Sequence, residues 1–277
     1  MVDASARDKQ PHRIRLLATK PNWADNIHSG LWGQVKAELR SYFHKPYDVP
    51  TVIAINMLLA LFAWFFINPD VVLRYTALVF LPVALIAWAF ADVPSTNLFG
   101  SAPVQTLRYI NEPENLRRMM TVKNIALWIL VAPLCFVLSL CLLPSQHDTL
   151  ISLAVCLAVV FLPFSYLGLA AVIAPLLPFH PMKWKERLKR RDTWLRYGLS
   201  IGVAYFALTG PATVLALGPA WLVFKFIGQE PIHVFLAAVI LTPWAFILWR
   251  TGLHISTWIV AKRRQWLENF LNDPARG

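Results

Sequence analysis

The side chains able to do chemistry in this chain are few and are badly placed for it. Seven histidines (His12, His28, His44, His147, His180, His233, His254) include no HExxH pair and no other paired-ligand spacing. The three cysteines, Cys135, Cys141 and Cys156, all fall in apolar runs without a CxxC. They therefore suggest neither a disulfide framework nor a metal site, and read as small hydrophobes packed between helices. There is no GxSxG elbow, and no glycine-rich run leads into Lys-Ser or Lys-Thr, as a phosphate-binding loop requires. Ion-coupled transporters usually keep a carboxylate inside a span. Here Asp70, Asp92, Glu112, Glu114, Asp148, Glu186, Asp192 and Glu230 lie at ends and in loops. The expectation is no catalytic residue, no bound metal and no cofactor held by this chain. Arg250 and His254, one helical turn apart, either meet an anionic group or reach from a span end to the interface.

The elements around these residues are those of a membrane protein. Of 277 residues, 57% are hydrophobic and 15% charged, and the mean hydropathy is +0.51. Soluble domains carry about 25% charged residues and about 45–50% apolar ones. Apolar runs long enough to cross a bilayer, about 17–25 residues, begin at Thr51–Ile67. Asn68-Pro69-Asp70 closes this run into a hairpin with a second, from about Val71 to Ala91. Further runs are Ile125–Leu143, Leu150–Leu177 (containing Pro163 and Pro175), Tyr197–Ile227, and one from Val234 to Trp249 or Val260. The expectation is an all-α polytopic membrane protein with six transmembrane helices. Residues 1–50 form an N-terminal segment, 51–261 the membrane domain and 262–277 a tail. The polar N-terminus has no signal-type apolar region, so the first span is expected to insert and stay.

Lys and Arg assign the sides. Residues 1–50 hold eight, the loop after span two four, the loop after span four seven, and the tail four. Arg74 and Lys225 face the other way, with Arg250 near a boundary. The positive-inside rule then puts both termini in the cytoplasm. The net charge of +11 is a consequence of this topology and gives no reason to expect nucleic acid as a partner. Twelve tryptophans, mostly near span ends, fit an interfacial belt.

Two polar segments carry further pattern. In Leu31–Phe43, apolar Leu31, Trp32, Val35, Leu39, Tyr42 and Phe43 alternate helically with Lys36, Glu38 and Arg40. This predicts an amphipathic helix lying in the membrane interface, with membrane lipid as its partner. After Asn97-Leu98-Phe99-Gly100, Val104–Ile110 predicts a short helix. Asn111, three residues before Glu114 with Pro113 between them, predicts the cap of a new helix entering span three.

These elements together resemble the permease subunits of the ABC-2-type ATP-binding cassette exporters. The resemblance rests on the helix before span one, six spans with cytoplasmic termini, the close first hairpin and the helix-turn-helix between spans two and three. It also rests on Tyr197–Ile227, interrupted by Gly210-Pro211 and Gly218-Pro219, which is similar to a span followed by a re-entrant segment. At ~46 Å if straight, this run exceeds the ~30 Å bilayer core. Membership would imply a half-transporter in a bacterial plasma membrane that pairs with a second permease subunit and recruits ABC ATPase subunits. ATP and Mg would be held by those ATPases. The resemblance implies coupling residues Val104, Leu107, Arg108, Tyr109, Glu112 and Glu114, and a connecting helix carrying Trp32, Lys36 and Arg40. It also implies an exit gate at Gly210, Pro211, Gly218, Pro219 and Lys225, and a hydrophobic or amphipathic cargo. The alternative is an integral membrane scaffold or assembly subunit that transports nothing.

Overall fold

The computed structural model describes residues 30–44, 48–67, 81–90, 93–142, 148–180 and 191–273. Every regular element among them is helical. In chain order these are α1 (Leu31–Tyr42), α2 (Asp48–Ile67), α3 (Leu81–Phe90), α4 (Val93–Thr96) and α5 (Pro103–Tyr109). Then follow α6 (Pro113–Leu142), α7 (Thr149–Ile173), α8 (Arg191–Ala207), a π-helical turn (Leu208–Ala212), α9 (Thr213–Phe226) and α10 (Pro231–Asn272).

Four helices among the described residues are long and apolar enough to cross a membrane: Pro113–Cys141, Thr149–Ile173, Tyr197–Phe226 and Pro231–Asn272. The first predicted span, Thr51–Ile67, lies within α2. Only Leu81–Phe90 of the second is described, and the Asn68–Asp70 turn and the basic stretch 181–190 lie outside the described residues. The chain is thus a helical integral membrane protein.

The bundle is organised around α7 and α10, whose backbones meet at two glycines. A Cβ on Gly252 would collide with the backbone of Gly168, and one on Gly168 with the backbone of Leu248 and Trp249. In a bilayer, lipid tails are as apolar as leucine, so helices associate through close packing, and small residues permit it. Ser165, Ala171, Ala245 and Ser256, all buried, continue the small-residue seam on both helices. On the other side of α7 a core of Leu85, Ile86, Phe90, Leu127, Val131, Val159, Leu162 and Tyr166 joins α3, α6 and α7. Pro163 lies inside α7 without ending it. A proline leaves a backbone carbonyl one turn earlier without its donor, and in that turn the Trp128 indole N–H donates to the Val160 carbonyl at 2.8 Å.

One expectation for the later spans is corrected. The Tyr197–Ile227 region does not fold back at Ala220–Ile227, since Gly218-Pro219 lies inside α9, which continues to Phe226. The Gly210-Pro211 pair is absorbed by the π-helical turn. Such a turn widens the helix by one residue, and this accommodates the proline without a break. The chain reverses only at Gly228, whose φ of +136° is open to glycine. Glu230 and Pro231 then start α10. The boundary drawn at 261/262 falls inside α10, which runs 42 residues to Asn272 with a kink at Arg263.

Candidate functional site

The polar segment between α3 and α6 is a buried cap on one end of the bundle. Residues 95–100 are all buried. Ser95 Oγ donates to the Phe90 carbonyl at 2.5 Å, tying α4 back to the end of α3. Asn97 then reads a peptide unit 82 residues away. Its Nδ2 donates to the Phe179 carbonyl at 2.9 Å, and its Oδ1 accepts from the Phe179 N–H at 3.1 Å. Gly100 must be glycine because a Cβ there would run into the Phe179 carbonyl and Asn97 Oδ1. Lys123, buried on α6, donates to the Leu98 carbonyl at 3.1 Å and to Ser101 Oγ at 3.0 Å. Thr106 Oγ1 lies 3.1 Å from the Phe99 carbonyl. The polar groups of this stretch bond to one another and to distant backbone.

The end of α10 closes the cap. Leu267, Phe270 and Leu271 join Leu98, Phe99, Tyr109, Ile110, Met119 and Met120 in one core. His180 donates through Nε2 to the Phe270 carbonyl at 2.8 Å and stacks on the Phe270 ring at 4.8 Å. Arg263, at the kink, donates to the Pro175 and Leu176 carbonyls at 3.3 Å each. A cation at exposed helix C-terminal carbonyls is favourable there, so Arg263 caps α7 and holds α10 to it.

The predicted coupling residues divide on this cap. Val104, Arg108, Glu112 and Glu114 are exposed and Leu107 is half-buried. Tyr109 is 4% exposed within the core, so its ring is packing and not a docking contact. Asn111 does not cap α6 either. The Leu116 N–H bonds to the Glu112 carbonyl, which puts Glu112 at the cap position, with its carboxylate accepting from Asn115. Pro113 explains the shift, because its ring keeps the preceding residue out of the helical region. Pro113 itself tolerates the first helical position.

Helix α1 packs against α6 with Gln34, Val35, Glu38, Ser41 and Tyr42 buried. Arg118 Nε donates to Gln34 Oε1 at 3.0 Å. The expected faces are therefore partly exchanged. Glu38 lies on the protein side beside Tyr42, while Trp32, Lys36, Arg40 and Phe43 are exposed. The Tyr42 phenol is held well above its ordinary value of 10.0, by burial first and then by the Glu38 charge and hydrogen bond.

At the far end, Lys225 sits over the rings of Trp221 at 4.7 Å and Phe226 at 5.4 Å. Gly210, Gly218 and Pro219 are half-buried and Pro211 is exposed. Nothing approaches a Cβ built at Gly210 or Gly218. Facing the π-helical turn, Thr213 Oγ1 donates to the Leu208 carbonyl at 2.9 Å and accepts from the Tyr166 hydroxyl at 3.0 Å. The predicted gate residues thus lie along the π-helical turn and α9. Arg250 and His254 are exposed on α10. No group of three or more metal-ligating side chains occurs among the described residues.

Sequence reading alone missed the Asn97 clamp, the Lys123 network, the His180–Phe270 contact and the Gly168–Gly252 crossing. Only Asn97-Leu98-Phe99-Gly100 gave a signal, as a break between helices. Comparison of the chain with protein-family models, with curated proteins and with solved structures finds no match. The resemblance to ABC-2-type permeases gains nothing from these comparisons.

Proposed function

We propose that this chain is the membrane-spanning subunit of an exporter driven by a separate ATPase. In this reading it has six spans and cytoplasmic termini in a bacterial plasma membrane. One observation carries it: an exposed, mixed-charge rim is joined rigidly to two of the span-forming helices. The rim is Val104, Arg108, Glu112, Glu114 and Arg118. Its inner side is the Phe99–Tyr109–Met120–Phe270 core, which belongs jointly to α5, α6 and α10. Helix α6 runs without interruption from the rim at Pro113 to Leu142. A partner pressing on the rim would move α6 and α10 as levers and would not be cushioned by a loose loop.

In this reading ATP and Mg stay on the partner, and a second permease subunit completes the path. The exposed apolar flank of α8 and α9 (Leu199, Phe206, Val214, Leu222) meets lipid or that subunit. A hydrophobic or amphipathic cargo suits a membrane domain rich in aromatic side chains. The test is co-purification of an ATPase from the native membrane with wild type and with the charge reversals Arg108→Glu and Glu112→Lys. Loss of the ATPase from the reversals, with unchanged abundance of the chain, supports the reading. If wild type retains no ATPase, the scaffold reading takes its place.

A further inference from the structure

The bundle interior holds polar atoms that find no hydrogen-bond partner among the described residues. Asn124 on α6 is 0% exposed, and neither its amide nitrogen nor its amide oxygen has a hydrogen-bond partner. The same holds for Ser165 Oγ on α7, in a residue also 0% exposed, and for the buried indole nitrogen of Trp249 on α10. Buried polar groups in native proteins are nearly always paired with protein or with bound molecules, and lipid offers them nothing.

Contacts on either side of Asn124 lead to Trp249 and to the crossing of α7 and α10, and Ser165 lies on α7 next to that crossing. Met120, Asn124 and Trp128 are successive turns on one face of α6. Met120 Sδ accepts from Ser256 Oγ of α10 at 3.4 Å. Trp128 stacks on Phe164 of α7 at 5.6 Å, and Phe164 meets Trp249 of α10 at 5.0 Å. Asn124 therefore sits between two contacts that both reach the α7–α10 pair, at the level where Gly168 meets Gly252. Ser165 follows Phe164 in sequence and stands one turn before Gly168. Lys123, the neighbouring cation, points its ammonium to Leu98 and Ser101 in the cap.

We propose that Asn124, Ser165 and Trp249 form an internal binding site for a small uncharged hydrogen-bonding group, at the junction of α6, α7 and α10. The set offers two N–H donors and an acceptor oxygen from the carboxamide, a hydroxyl that does both, and one indole donor. None of the three carries a charge to balance an ion, and this selects a neutral guest: water, or the hydroxyl or amide group of an amphipathic solute. The assignment does not depend on the ATPase reading.

The experiment is radiolytic hydroxyl labelling of the purified full-length chain in lipid nanodiscs, in which oxidation of an interior ring reports a neighbouring bound water. Trp249 is expected to be oxidised. Its labelling is expected to fall by at least about threefold in Asn124→Leu, where the guest loses its main partner. Trp221, 57% exposed, should label equally in both. Ser165→Ala carries the same comparison if Asn124→Leu does not fold. Dodecanol in the nanodiscs separates the two sources. Protection of Trp249 assigns the site to a solute hydroxyl, and unchanged labelling assigns it to water. Trp249 that stays unlabelled in wild type, or labelling that neither substitution alters, overturns the proposal. So does an Asn124→Leu chain with a raised unfolding temperature, the result expected of a dry site that gains by losing an unpaired amide.

Discussion

Asn97 holds the cap with one side chain. Its carboxamide bonds to both the N–H and the carbonyl of Phe179, so truncation removes two buried hydrogen bonds at once. Each such bond contributes about 0.5–1.5 kcal/mol. Asn97→Ala should therefore lower the unfolding midpoint in detergent by several degrees, and Asn97→Asp should do no better because it lacks the amide donor. Both are measured by thermal denaturation against wild type. Tyr42 gives a pH-dependent case. Its folded pKa is raised above the unfolded value of 10.0, so the fold favours the protonated phenol. Its contribution is complete below pH 10 and is lost as pH rises above it, because the unfolded chain ionises first. An alkaline titration of stability should decline less steeply in Tyr42→Phe than in wild type.

Glycines distinguish a backbone contact between helices from an open position on a helix surface. At Gly252 an added methyl would meet the Gly168 backbone, and a helix backbone cannot yield as a side-chain tip can. Gly252→Ala should push α7 and α10 apart and cost at least about 2 kcal/mol, the scale of overpacking in a filled core. Gly218 has open space around its Cβ position and helical neighbours. Gly218→Ala should be neutral or stabilising by up to about 1 kcal/mol, since alanine loses less chain entropy in a helix. Unfolding in detergent distinguishes the pair. Equal effects would mean that α7 and α10 are not in backbone contact.

Across the whole molecule, α10 is long and apolar enough to reach both faces of a membrane. At 42 residues it is ~63 Å long, about twice the ~30 Å apolar core. The surplus is the leg that closes the cap. Trp258 under the Lys262 ammonium at 4.0 Å and Trp266 under the Arg263 guanidinium at 4.1 Å mark its basic end. The topology proposed from charge makes this end cytoplasmic. In a background lacking the native cysteines, Gln229→Cys should react with an impermeant thiol reagent in intact cells, while Asn111→Cys and Asn272→Cys should react only after permeabilisation. All three positions are exposed. External labelling of Asn272→Cys would invert the orientation and remove the rim from an ATPase's reach.

The sequence by itself determined that the chain is helical and membrane-embedded, because length and hydropathy of a run are local properties and a bilayer tolerates few alternatives. Four of the six runs reappear among helices long enough to span, and the short helix before α6 lies within one residue of its predicted start. Charge asymmetry and apolar period could go no further, since neither depends on what a segment touches. Asn97, Lys123 and Tyr109 fell in a polar stretch between spans because polarity is visible in sequence, while their partners, far along the chain or on another helix, are not. Glu38 was assigned to the polar face for the same reason, although helical spacing places it beside Val35 and Tyr42. Gly-Pro pairs signal a break only if the backbone groups they disturb find no other geometry. Here a π-helical turn accommodates the first pair, and the helix continues through the second. Which glycine touches a backbone and which polar group is left unpaired in the interior are properties of neighbouring helices, and only their packing decided them.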